Sequence, residues 1–207
     1  MHSSPAFLSL LICSFLLGTA FSEEKEAAQP LTPKETQIRK DIKAMLVAGT
    51  RGDGKTYVQY IHPKMFERQA GLKEKTIKQI EKAQEAIEKV EKLLGEPFEI
   101  EPKFTKRATF LQTAKHEFAI VPVEIVTDSG FATVEVGNFI LGIREGEQTE
   151  WKYMDGSKLD QRAIHDYFSD FPIDQPLPQV ETKTKPKEGG FDDFMDRVDS
   201  PSFGSDL

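Results

Sequence analysis

The chain reads as an α+β protein in which N-terminal helices pack against an antiparallel sheet of about four strands. Three observations lead there. Apolar residues recur at helical spacing through residues 32–94, most regularly in Leu72–Leu94. From residue 98 the period changes toward two, in segments rich in Val, Ile and Phe. Short turn signals join those segments, as in a meander.

The elements follow in order. Thr32 can cap a first helix, Pro33 suits its first position, and Glu35 stands where a capping box places its acid. Ile38, Ile42, Met45 and Leu46 form its apolar face, and Gly49 is the expected stop. Asp53 can cap a shorter helix carrying Tyr57, Val58, Tyr60 and Ile61. His62-Pro63 ends it, because the residue before proline is pushed out of the helical region. Met65 and Phe66 then read as core contacts, and Gly71 as a break. In the long helix Leu72–Leu94, Ile77, Ile80, Ala83, Ile87, Val90 and Leu94 make one stripe, closed by Gly95.

Residues 98–110 hold one long or broken strand, with its path obscured by the charges from Lys103 to Arg107. Residues 116–127 and 131–144 are two long strands joined by Asp128-Ser129-Gly130. Glu145-Gly146-Glu147 turns the chain into a last strand, residues 149–154. In the second strand both parities are apolar: Phe118 and Ile120 on one side, Val121, Val123 and Ile125 on the other. Such a strand is covered on both faces. A short helix with Ile164, Tyr167 and Phe168 follows, and Pro172, Pro176 and Pro178 end the domain.

The ends differ from this middle. Residues 1–22 have the order of a secretory signal peptide: an apolar run (AFLSLLICSFLL), then small residues, then a charged start at Glu23. Cleavage is expected after Ser22, so the protein is expected to be exported, to the periplasm or the medium. A retained anchor is the rival reading, and membrane association is expected only in that case. Residues 23–31 are a polar lead and 32–178 the folded domain. Residues 179–207 read as a disordered acidic tail. Within the tail, Phe191, Phe194, Met195 and Val198 have the spacing of an amphipathic segment that a protein partner can take up.

Composition bounds the chemistry. The formal charge of −7 argues against nucleic acid as the main partner, because phosphate binding needs a basic footprint. The one cysteine, Cys13, lies in the signal segment, so the mature domain is expected to have neither disulfide nor thiolate chemistry. No metal is expected, given the absence of HExxH and of a His pair at helical spacing. No cofactor is expected either, since there is no GxSxG, Walker loop or dinucleotide fingerprint. The RGD within Arg51 to Gly54 is read as a turn.

The stretch GDGKTYVQYIHPKMFERQAGLKEKTIKQIEKA, with EWKYMDGSKL and FPIDQPLP, resembles exported bacterial domains of the nuclear-transport-factor-2-like superfamily, which includes ketosteroid-isomerase-like and SnoaL-like proteins. The resemblance spans residues 34–178. It implies a strongly curved sheet wrapped cone-like around the helices, a pocket at the open end, and a homodimer through the outer sheet face. It implies no particular reaction.

The candidate catalytic residues are Glu124, Glu135, His62 and His116. Glu124 lies between Val123 and Ile125, and Glu135 between Val134 and Val136. An acid on a buried face would have a raised pKa and could act as a base, whereas on a solvent face it would be inert. His62 reads first as a turn residue of its His-Pro joint, and alternatively as a pocket acid or base. His116 shares strand parity with Glu124. Tyr57, Tyr60, Trp151 and Tyr153 are the candidate pocket residues, with core packing as the alternative for Trp151 and Tyr153. The expected function is an exported binding or accessory domain taking a small ligand or a protein partner. The alternative is a pocket enzyme of isomerase or hydratase type using a buried carboxylate.

Overall fold

Thr32 starts the first helix as its composition demands: its side chain accepts the backbone N–H of Glu35 at 3.2 Å. The computed structural model describes residues 30–94, 99–129, 132–146 and 148–187. Helix α1 (Pro33–Thr50) is followed by α2 (Gly54–Tyr60), α3 (Lys64–Glu67) and α4 (Leu72–Leu94). Strands β1 (Glu99–Lys103), β2 (Thr109–Gln112), β3 (His116–Ser129), β4 (Ala132–Glu145) and β5 (Lys152–Asp155) come next. Helix α5 (Gln161–Tyr167) and strand β6 (Glu181–Pro186) complete the order. The signal segment, most of the polar lead, and Phe191, Phe194, Met195 and Val198 of the tail lie outside the described residues.

Helix α1 continues through Gly49 and stops at Gly52, whose φ of +73° a side chain would resist. The half-capping box is a second departure. Glu35 does not fold back onto its own helix start. Its carboxylate is buried and takes Arg39 at 2.6 Å, Arg107 at 2.9 Å and the Ala108 N–H at 3.2 Å. Asp53 caps α2 through the Thr56 N–H at 3.0 Å, and the chain turns extended at Ile61 ahead of His62-Pro63. Helix α4 has the expected limits, and Ile77, Ile80 and Ile87 are half-buried.

The sheet has six strands, not about four. It is antiparallel, curved and unclosed, with β3 and β4 as its long central pair. Two differences account for the count. The first strand, expected as long or broken, is broken into β1 and β2, both paired with β3. The break falls at residues 104–108, where Arg107 and the Ala108 N–H reach Glu35 and Arg39 donates to the Lys106 carbonyl at 2.9 Å. The charge run that hid the strand is thus the reason it breaks. The second difference is β6, an exposed strand on β4 in a segment whose Lys, Thr and Glu composition reads as linker.

Side-chain alternation gives the sheet two apolar faces. Ala119, Val121, Val123, Ile140 and Tyr153 pack on Ile38, Ile42 and Met45 of α1. Phe118, Ile120, Phe139, Leu141, Ile143 and Met154 pack on Ile164, Phe168 and Phe171 from α5 and the segment after it. The doubly apolar β3 is therefore covered on both sides. Gly156, just after β5, sits so close to the carbonyl and ring of Phe139 that a β-carbon has no room.

Candidate functional site

Helix α1, the end of α2 and the segment entering β5 enclose a cleft of about 370 Å³. Its lining comprises Gln37 and Asp41 from α1, Gln59 and Tyr60 from α2, and Thr149, Glu150, Trp151 and Lys152. Gln37 and Asp41 are one helical turn apart, so they present together on one side of α1. The Gln37 amide donates to Asp41 Oδ1 at 2.7 Å, and the Tyr153 hydroxyl donates to Asp41 Oδ2 at 3.0 Å. Away from α1, Lys152 Nζ at the start of β5 donates to the Gln59 carbonyl of α2 at 3.0 Å, joining those two sides, and pairs with Glu150 at 3.2 Å.

These contacts fix the protonation state of Tyr153. Burial first, then the Asp41 charge and the hydrogen bond to it, push the Tyr153 phenol far above its ordinary value. Tyr153 is therefore a permanent donor, and it keeps Asp41 oriented. Of the four expected pocket residues, Tyr60 and Trp151 line the cleft and Tyr153 lies beneath it, fully buried. Tyr57 lies against Gly49 instead, its phenol raised by burial and then by Asp155.

A second cluster joins two of the candidate catalytic residues. His62 and His116 are both buried, with 4% and 8% of their surface exposed. Phe168 takes both imidazoles edge-on, each with ring centres 5.0 Å apart. Both Nε2 atoms face Glu145 Oε1, at 3.4 Å from His62 and 3.9 Å from His116. His62 Nδ1 accepts the Lys64 N–H at 3.3 Å. His116 Nδ1 lies 2.8 Å from Asp170 Oδ1 and 2.9 Å from Oδ2, and the Thr113 hydroxyl also donates to Asp170. Burial raises the Asp170 carboxyl, but hydrogen bonds from Thr113 and His116 and the charge of His116 outweigh it and hold it at about 2. Burial also dominates at His62 and brings its pKa down to about 4.

The two acids singled out from the sequence sit elsewhere. Glu135 pairs with Lys185 of β6 at 2.7 Å, and that hydrogen bond holds its carboxyl below the usual value. The condition for a raised pKa, a buried face without an opposite charge, is not met at Glu135, because a lysine from an unforeseen strand pairs with it. Glu124 is half-buried and stands opposite Lys103 in the β1–β3 register. It shares a sheet face with His116, as parity requires, but at the other end of β3.

Sequence reasoning missed Gln37, Asp41, Gln59 and Lys152 in the cleft, and Glu145 and Asp170 in the histidine cluster. Asp41 had one local signal: it follows Ile38 by three positions, at the edge of the buried stripe of α1. Asp170 had none, since 54 positions separate it from His116. Among the described residues, no group of three or more His, Cys, Asp and Glu is placed to hold a metal ion. No described helix is long and apolar enough to cross a membrane. No protein-family model, curated protein or solved structure matches this chain.

Proposed function

We propose that this chain is a small exported binding or accessory module whose cleft takes a small polar ligand. The observation that carries the reading is the Gln37–Asp41–Tyr153 hydrogen-bond set at an open cleft bordered by Tyr60 and Trp151. Six of the eight lining residues are polar, which suits a ligand held by hydrogen bonds, and Tyr60 and Trp151 supply the aromatic surface beside them. Asp41 already accepts two hydrogen bonds and Tyr153 stays protonated, so this set orients a ligand better than it moves a proton. The curved, unclosed antiparallel sheet against helices supports the cone-like, nuclear-transport-factor-2-like reading of the architecture. A homodimer through the sheet is part of the same proposal. Its surface would be the end carrying Glu124 and Glu135, because α5 covers the face around Phe118.

Trp151 is the single tryptophan of the chain and borders the cleft. Its emission therefore reads binding directly. Titration with a panel of sugars, polyols, amino acids and nucleosides is expected to yield at least one saturable change. Asp41→Ala is expected to weaken that ligand roughly 10-fold or more, the scale of a lost hydrogen bond to a charged group. Gln37→Ala gives a milder version with less risk to the fold. A panel with no saturable response, or equal affinity in both variants, would defeat the proposal.

A further inference from the structure

We propose that His62, Glu145 and His116 form a proton-operated latch that holds the two walls of the cleft together and releases them in acid. This regulation rests on the reading of the cleft as the binding site.

The connections are direct. His62 continues the wall that ends in Gln59 and Tyr60, and its N–H donates to the Tyr153 carbonyl at 2.9 Å. Ile61 forms a bridge to the same Tyr153. Glu145 is the last residue of β4, and the chain beyond it becomes the opposite wall, Thr149, Glu150, Trp151 and Lys152. A contact between His62 and Glu145 thus ties one wall to the root of the other.

The Lys64 N–H at Nδ1 tolerates only one protonation state of His62, while the Glu145 charge alone favours the second proton. Nδ1 accepts from the Lys64 N–H, so the proton of the neutral ring sits on Nε2 and faces Glu145. A second proton would go on Nδ1 and set two N–H groups against each other. The charged groups facing the ring come from every element around it: Glu145 from β4, His116 from β3 and Lys64 from α3, with Asp170 behind His116. Lys64 Nζ is also 4.3 Å above the Phe168 ring and donates to the Tyr167 carbonyl. A charged His62 would therefore be a buried cation beside Lys64 and His116, with one shared carboxylate, Glu145, facing the pair. Burial is the largest effect on the ring, and with Lys64 and His116 it outweighs the attraction of Glu145, so the net balance opposes ionisation. Relief requires the ring to leave Phe168, and Pro63 on one side and the Tyr153 bond on the other make that a movement of the backbone leading to Tyr60.

The test uses acrylamide as the probe, quenching Trp151, which is 6% exposed. From pH 8 to pH 4 the quenching constant of the wild type is expected to rise at least twofold, mostly below pH 6, with far-UV circular dichroism retained. His62→Gln keeps a donor toward Glu145 and does not titrate, so it is expected to abolish the rise. His165→Gln, outside the cluster, is expected to preserve it. A rise that survives in His62→Gln, a flat wild-type profile, or quenching that tracks loss of circular dichroism would overturn the latch. Should His62→Gln fail to fold, ring C–H resonances of the wild type decide: the Trp151 indole N–H is expected to move with His62, and movement independent of it refutes the proposal. A cleft that binds none of the panel compounds, with the quenching step intact, would sink the binding reading alone. Binding that is indifferent to pH would sink the latch alone.

Discussion

Replacing Glu35 tests the packing logic most severely, because a single carboxylate organises the break between β1 and β2. Glu35 is 1% exposed and serves Arg39, Arg107 and the Ala108 N–H. Glu35→Ala removes both acceptor oxygens and with them all three contacts. Arg107 is 47% exposed and can return to water, so its loss costs little. Arg39 is 17% exposed and retains the Lys106 carbonyl and its place over the Phe104 ring, while the Ala108 N–H loses its Glu35 acceptor. Breaking a buried pair by removing one partner costs about 3–5 kcal/mol. The remaining carbonyl contact of Arg39 places this case at the lower end, about 3 kcal/mol. For a domain of this size that corresponds to roughly 6–12 °C in melting temperature. Glu35→Gln keeps an acceptor oxygen for one donor and is expected to lose about half as much. Urea unfolding at pH 7, followed by far-UV circular dichroism, measures both. A loss below about 1 kcal/mol in Glu35→Ala, or equal losses in the two variants, would refute the assignment of Glu35 as the organiser of the break.

The Asp170 carboxyl, held at about 2 in the fold, contributes stability that is present above its ordinary value of 3.8 and lost as the pH falls through about 2. Asp170→Asn is expected to cost about 2 kcal/mol at pH 7 and to flatten the decline in urea midpoint below pH 4, and parallel acid profiles would count against it. His62 gives a window of the same sign at higher pH: its folded pKa of about 4 lies below 6.5, so its neutral form favours the fold above pH 6.5 and that contribution drains away between pH 6.5 and 4. Gly156→Ala forces a β-carbon onto Phe139 and is expected to cost roughly 1–3 kcal/mol. Gly137→Ala, where the nearest atom is the Glu181 carbonyl oxygen at 3.7 Å, is expected to leave the melting temperature nearly unchanged, and similar losses in the two would contradict the close approach.

The elements set by local chemistry were legible in the sequence. Thr32 and Asp53 cap the helices they were expected to cap, α4 runs from Leu72 to Leu94, and β3 carries apolar residues on both faces because both faces are covered. What stayed hidden depends on distant partners. Strand β6 has no apolar pattern, since it hydrogen-bonds to β4 through its backbone and leaves all its side chains exposed. Asp41 is tied to Tyr153 across 112 positions, and that contact rather than any motif makes it part of the cleft. His62 and His116 were each noticed singly. Their meeting over Phe168 follows from the packing of α5 against β3, which no spacing in the chain encodes.

The binding reading is tested most directly by amide chemical-shift mapping of the intact folded chain against the same panel of small polar compounds. A binding cleft predicts shifts concentrated at Gln37, Asp41, Gln59, Tyr60 and the Trp151 indole, saturating together with one affinity. Shifts scattered over the sheet, or a cleft whose resonances stay fixed while others move, would contradict it.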